Sequence, residues 1–303
     1  MRARAPASTA NLGPGFDVLA VALDRYVQVE VEPAPSLRLR SEGEGAGLAD
    51  DASHLAARVA IGVIGHDRLA VTVRSQIPVS RGLGSSAALA AAAAAAAGAD
   101  DPLGVAAASD GHPENAAASV LGGLVVATTV DGRACAARLP LSADLAFVVI
   151  VPDRPLKTDD ARAVLPVTVA RTDATFNLGR MGLLLAGLAE PTLLTPAATA
   201  DRLHQAARAA LFPEAPSLLD ALVAAGALAS CWSGAGPSLM GLTTEHSAEE
   251  VRGGALAALV ESGLSGRVLV LRADRRGLVT GEAAELPPVP SPEVVRPETA
   301  PAP

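Results

Sequence analysis

Apolar and polar positions alternate along residues 23 to 32, LDRYVQVEVE, from Tyr26 onward, and again along residues 68 to 75, RLAVTVRS. A period of two predicts half-buried strands at both places. Residues 85 to 98, SSAALAAAAAAAAG, carry a different signal: serines at the start, alanine throughout and glycine at the end predict a helix. A glycine-rich turn precedes it directly. Further helices are predicted at 102 to 109 and 113 to 121, and strands at 123 to 130 and 145 to 151. Beyond residue 157 the pattern predicts helices at 158 to 164, 168 to 189, 199 to 211 and 215 to 226. A strand, a glycine loop and a strand over 228 to 242 follow, then a helix at 247 to 262 and a strand at 266 to 272. Strands and helices mix without strict alternation, which indicates an α+β fold.

The 303 residues suffice for one large or two ordinary domains with a substantial core. The two prolines of VPDRPLK, residues 151 to 157, mark a change of lobe. The expected division is 1 to 150 and 151 to 285, two lobes with a cleft between them, and a proline-rich tail over 286 to 303 that is expected to be disordered. Alanine, valine and leucine dominate the 50% hydrophobic content, and only 2% of residues are aromatic. The alanine runs therefore reflect composition and say little about function.

Charge narrows the function classes. A net charge of −8 argues against nucleic acid and anionic membrane as partners, since both call for a basic surface. The alanine run is too short and too weakly apolar to span a bilayer. The start, MRARAPASTANLG, lacks the apolar core of a signal peptide, and Cys135 and Cys231 suggest neither a disulfide framework nor a metal site. The chain reads as a cytoplasmic enzyme of small metabolites. Its oligomeric state is not legible, and a homodimer stays open.

The chemistry concentrates in one turn. Pro78-Val79-Ser80-Arg81-Gly82-Leu83-Gly84-Ser85-Ser86-Ala87-Ala88 follows a strand and opens the strongest helix. Such a turn aims backbone N–H groups and the positive end of a helix dipole at whatever sits in it, which suits a polyphosphate. Gly82 and Gly84 would let the backbone approach phosphate oxygens closely. Ser85 and Ser86 would cap the helix, and one of the two hydroxyls could also reach a Mg²⁺. Neither a Walker A loop nor a Rossmann GxGxxG is present.

This segment resembles the second motif, PxxxGLGSSAA, of the GHMP kinases, ATP-dependent kinases of small molecules. Ala5-Pro6-Ala7-Ser8-Thr9-Ala10-Asn11-Leu12-Gly13-Pro14-Gly15-Phe16-Asp17 resembles the family's first motif in the form carried by its homoserine-phosphorylating branch, and Cys231-Trp232-Ser233-Gly234-Ala235-Gly236-Pro237-Ser238 resembles the third. The resemblance covers roughly residues 4 to 275. It implies a two-lobed fold, with an N-terminal domain like ribosomal protein S5 and a C-terminal ferredoxin-like αβ domain. It also implies ATP and Mg²⁺ as cofactors and L-homoserine as substrate.

Site residues follow from the same resemblance. Asp110-Gly111-His112-Pro113-Glu114-Asn115 is similar to EGHPDN, which implies Asp110 and Ser86 at the metal and His112 and Asn115 at the reaction. Asp110 stands where Glu is usual and Glu114 where Asp is usual. The shorter Asp110 would reach the metal through water. Asn11 and Asp17 would grip the ammonium and hydroxyl groups of the substrate. Thr158 and Arg162 resemble STxxAR, four apart on one helix face, and LHQAAR resembles LHQPYR, which implies Arg208 as a bidentate clamp on the substrate carboxylate. The third-motif glycines would pack against the phosphate loop. The two clamps would also suit mevalonate or shikimate, so homoserine rests on the ANLGPGFD and GHPEN segments. Asp110 and Glu114 leave open a silent nucleotide-binding module. With Lys157 the single lysine, no Asp-Lys base pair is expected, and a base role for Asp17 stays open.

Overall fold

The computed structural model of the protein describes residues 1–289 and 293–296. Its strands are β1 (Arg2–Asn11), β2 (Gly15–Pro33), β3 (Arg38–Gly43), β4 (Leu69–Ser75), β5 (Leu124–Val130), β6 (Arg133–Leu139), β7 (Leu145–Pro152), β8 (Ala229–Trp232), β9 (Leu239–Thr244), β10 (Gly266–Arg272), β11 (Val279–Thr280) and β12 (Glu293–Val295). Its α-helices are α1 (Leu55–Ile64), α2 (Ser85–Ala96), α3 (Pro102–Asp110), α4 (Pro113–Leu121), α5 (Thr158–Ala163), α6 (Arg171–Ala189), α7 (Gln205–Arg208), α8 (Ala215–Ala224) and α9 (Ala248–Glu261). Two separate sheets with helices confirm the α+β class.

The chain divides into two compact units. The first holds Met1–Asn11, Asp17–Leu139 and Ala273–Pro288; the second holds Leu12–Phe16, Pro140–Arg272 and Val289–Pro303. This differs from a single break at residue 150. The buried run Leu145–Pro152, read as the end of the first lobe, is the middle strand of the second unit's sheet. Residues 273 to 288 return to the first unit, where β11 pairs with β1.

In the first unit the sheet runs β11-β1-β2-β4-β3, with β5 and β6 extending from β2. The 19-residue β2 serves both parts: Leu19–Val21 pair with β5 and Val27–Pro33 with β4. Helix α2 is the centre of the helical layer, with α1, α3, α4 and β1 against it. Ala87, Ala88 and Ala90–Ala96 are buried, because methyl side chains let four neighbours approach one helix from all sides. The alanine run is thus structural, contrary to its reading as composition alone. Strand β1, where the sequence pattern predicted no element, is also lined with small residues, Ala3, Ala5, Ala7, Ser8 and Ala10, all buried.

The second unit carries the sheet β12-β10-β7-β9-β8, antiparallel throughout. Its core gathers Val148, Ile150, Phe212, Leu218, Leu222, Trp232, Leu239, Val251 and Leu259. Two expectations are corrected here. The helix foreseen over 199 to 211 shrinks to a 3₁₀ turn, Pro196–Thr199, and the four-residue α7. The Asp201 carboxylate accepts from the backbone N–H groups of Leu203, His204 and Gln205, which starts the helix afresh there. The tail is the second correction. Glu293–Val295 pairs antiparallel with β10 as an edge strand, and Val295 packs on the core, because two valines free of proline suffice for three ladder positions. The remainder, 290–292 and 297–303, lies outside the described residues.

Candidate active site

The singled-out residues fall in two groups, one in each unit. In the first unit the loop before α2 takes left-handed backbone at Ser80, Gly82 and Gly84, with φ of 55°, 72° and 64°. Gly84 is the N-cap of α2, and no side chain caps that helix, so Ser85 and Ser86 do not play the capping part expected of them. The positive end of the helix dipole therefore has no side-chain cap at its N-cap residue. Glycine at 84 also has a reason within the protein itself. A Cβ there would lie 1.9 Å from Ser8 Oγ and 3.1 Å from Asn115 Oδ1, so the close approach is to protein. Pro78, Val79, Arg81, Leu83, Ala87 and Ala88 complete the loop and its helix start; Arg81 donates to the carbonyls of Val79 and Ser80.

A cavity of about 280 Å³ opens beside this loop. Val27, Leu48, Leu55, Val73, Val79 and Leu89 give it apolar walls, and Ser85 and Ser86 form one end. His54, also in its lining, caps α1: its Nδ1 accepts from Ala56 N–H at 3.2 Å, and burial holds its pKa below the usual imidazole value. The ring is therefore neutral, with its proton on Nε2. Nothing in the sequence pattern marked this cavity, because its lining comes from five separate segments.

Of the other residues of interest in the first unit, Asp110 and His112 immediately precede α4, and Glu114 and Asn115 lie in its first turn. His112 Nδ1 lies 3.2 Å from Asp110 Oδ2 and 2.8 Å from its carbonyl. Asn11 and Asp17 are joined directly, with the Asp17 N–H donating to Asn11 Oδ1 at 3.0 Å and both residues in left-handed backbone. Glu114, noted in the sequence only as a departure from the family pattern and given no role there, is 1% exposed. Its pKa is pushed up to about 7, chiefly by burial; the charges of Asp17 and Asp110 add to this, and His112 opposes it.

In the second unit two predicted residues, Arg162 and Arg208, meet around two that were overlooked, Phe16 and His204. The Cζ atoms of Arg162 and Arg208 lie 6.0 and 5.5 Å from the ring centre of Phe16, and the His204 imidazole stacks on it at 5.0 Å. Phe16 is part of the first motif and His204 of LHQ, yet the pattern pointed only to their polar neighbours. Arg208 is buried, and its guanidinium donates to the carbonyls of Gly234 at 3.0 Å and Ala161 at 3.4 Å. Gly234 belongs to the third motif, which thereby supports an arginine. A Cβ on Gly236 would meet the Trp232 ring at 2.6 Å, so within its own unit that glycine packs on tryptophan. Thr158, the first residue of α5, is exposed.

The donor set was tested for Mg²⁺. Among the described residues no three His, Cys, Asp or Glu side chains gather into a metal cage. Mg²⁺ in kinases travels on phosphate oxygens and needs only one or two protein oxygens. The exposed Ser86 and the half-buried Asp110 fit that mode.

Comparison with known proteins settles the class. Residues 48–123 match the model of the GHMP kinases N terminal domain, and residues 178–261 that of the GHMP kinases C terminal. The chain belongs to the GHMP kinases. Within them it falls in the homoserine kinase family: it is 36% identical to the homoserine kinase of Caldanaerobacter subterraneus, covering 90% of this chain and 92% of that protein. It is 40% identical to the homoserine kinase of Streptomyces coelicolor, covering 83% and 87%. The crystal structure of homoserine kinase from Cytophaga hutchinsonii superposes with a TM-score of 0.81 at 27% identity, covering 92% and 96%. The mevalonate kinase of L. major, at 14% identity and a TM-score of 0.68, shares the fold.

Proposed function

We propose that the protein transfers the γ-phosphoryl group of ATP to the side-chain hydroxyl of L-homoserine, giving O-phospho-L-homoserine for threonine biosynthesis. The observation that carries this reading is the convergence of Arg162 and Arg208 on Phe16, a ring supplied by the first motif. Two guanidinium groups beside one aromatic face form a receptor for a small carboxylate. ATP's phosphates are assigned to the Gly82–Ser86 loop, and its base to the apolar cavity beside it, where the His54 Nε2–H is a donor. Asn11, Asp17 and His112 are assigned to the ammonium and hydroxyl ends of homoserine, with Thr158 at the carboxylate and Asn115 near the transferred group.

Phosphoryl transfer depends mainly on positioning and charge neutralisation. The bond from the γ-phosphorus to the leaving oxygen of ADP breaks as the bond to the homoserine oxygen forms, and the hydroxyl proton passes to solvent water. Asp17 is the carboxylate assigned to polarise that hydroxyl. Ser86 and Asp110 would hold Mg²⁺, which when bound would neutralise charge on the phosphates. Among the described residues no helix is long and apolar enough to cross a membrane. A coupled ADP-release assay over homoserine, mevalonate, shikimate and galactose tests the proposal. Turnover is expected with homoserine, and turnover of mevalonate without homoserine would overturn it.

A further inference from the structure

Glu114 lies in the first turn of α4 and is 1% exposed. A carboxyl group so far from water is costly unless its oxygens are occupied. Here one is: Oε1 accepts from the Asn115 side-chain amide at 3.0 Å, and Oε2 has no hydrogen-bond partner among the described residues. An amide has one donor end and one acceptor end, so this contact decides which way Asn115 faces. Its Oδ1 is turned to Ser8, whose Oγ donates to it at 2.8 Å. Ser8 in turn meets the loop before α2 twice. Its N–H donates to the Leu83 carbonyl at 3.1 Å, and its Oγ fills the place where a Cβ on Gly84 would stand.

We propose that Glu114 is a positioning residue for the nucleotide: through Asn115 and Ser8 it holds the Gly82–Ser86 loop in the shape that receives phosphate. The inference rests on the reading of that loop as the phosphate site. Glu114 is too buried to touch a ligand, so its effect passes entirely through the two side chains beyond it. Only Oε1 takes part, so the relay holds whether or not Oε2 carries a proton. It connects α4, β1 and the loop before α2, three segments that each bear a different sequence motif.

The test is a double-mutant cycle in the full chain, read by steady-state kinetics and by direct binding of ATP. Glu114→Ala and Ser8→Ala should each raise the KM for ATP about three- to ten-fold, the effect of losing one net hydrogen bond, while the KM for homoserine holds. Together they should cost no more than the larger single effect, because both break one relay. Glu114→Gln, which keeps an acceptor for the amide, should recover most of the loss. Additive effects, or a KM for homoserine that rises equally, would overturn the relay. Should Glu114→Ala fail to fold, Ser8→Ala must show the ATP-selective change by itself, and an unchanged KM for ATP refutes the proposal. Ser86→Ala separates the two readings: weakened ATP binding there beside an inert Ser8→Ala sinks the relay alone, and inertness of both sinks the phosphate loop with it.

Discussion

The Nε2 of His204 lies 2.8 Å from the carbonyl oxygen of Gly13, across 191 positions of sequence. A carbonyl only accepts, so Nε2 carries the proton and Nδ1 is left to accept from Arg208 Nη1, which it does at 3.0 Å. One imidazole in one tautomer therefore ties the first-motif loop to the arginine assigned to the substrate carboxylate. Gly13 can approach so closely because it has no side chain: a Cβ there would lie 2.3 Å from the Thr199 carbonyl oxygen.

Breaking this tie should affect one substrate and spare the other. Arg208→Lys replaces a planar fork with a point charge and should cost about 1.5 to 3 kcal/mol of homoserine binding. The KM for homoserine should rise roughly ten- to a hundred-fold, with the KM for ATP changed little. His204→Phe keeps the stacking on Phe16 but loses both hydrogen bonds, and should shift the same constant in the same direction. Equal changes for both substrates would indicate general damage.

Gly84 makes a second prediction. Gly84→Ala puts a methyl group into Ser8 Oγ on a residue with φ of 64°. Strain and overlap together should destabilise the protein by about 2 to 4 kcal/mol and weaken ATP binding. Adding Ser8→Gly removes the overlap and leaves the backbone strain, so calorimetry should show partial recovery. No recovery would mean that the backbone conformation is the whole cost.

The pH dependence of stability follows from Glu114. Its pKa rises from an ordinary 4.5 to about 7 on folding, so the folded state binds more protons between those values. Stability must then fall as pH rises from about 4.5 to about 7 and level off above, relative to Glu114→Gln, which has nothing to titrate. Urea midpoints of the two proteins at pH 5, 6, 7 and 8 check this. A constant difference would show that Glu114 titrates as it does in water.

Truncation after Val289 tests the tail. Prolines alone predict no effect, whereas β12 bonds to β10 and Val295 covers the core. Loss of about 1 to 2 kcal/mol should lower Tm by roughly 2 to 8 °C with kinetic constants preserved. An unchanged Tm would return the tail to the role its composition suggests.

Much of this was legible in the residues. Periodicity marked β4, the later part of β2, α4 and β10 because each faces water on one side and core on the other. Strand β1 escaped since it is buried along nearly its whole length, which erases alternation, and its small residues resemble a loop. Helix α7 was overestimated because a side-chain carboxylate, Asp201, interrupts a run with good helix formers. Arg162 and Arg208 could be assigned through the resemblance of their segments to STxxAR and LHQPYR. Phe16, His204, Ser8 and Glu114 could not, since their importance lies in the groups they meet from distant segments, and spacing along a chain carries no record of that.

The return of residues 273 to 288 to the first unit bears on the order of events during synthesis. Strand β11 pairs Thr280 with Ala3 and Val279 with Arg4, and the Gln28 side chain donates to the Ala284 carbonyl at 2.7 Å. Translation proceeds at roughly 5–20 residues per second, so β1 emerges on the order of ten seconds or more before its edge partner exists. The stretch Pro140–Arg272, the bulk of the second unit, is already on hand by then. The unit that begins first must wait for residues 273 to 288 before its sheet is complete, and a nascent chain stalled anywhere before β11 presents the open flank of β1 as the segment that chaperones must shield.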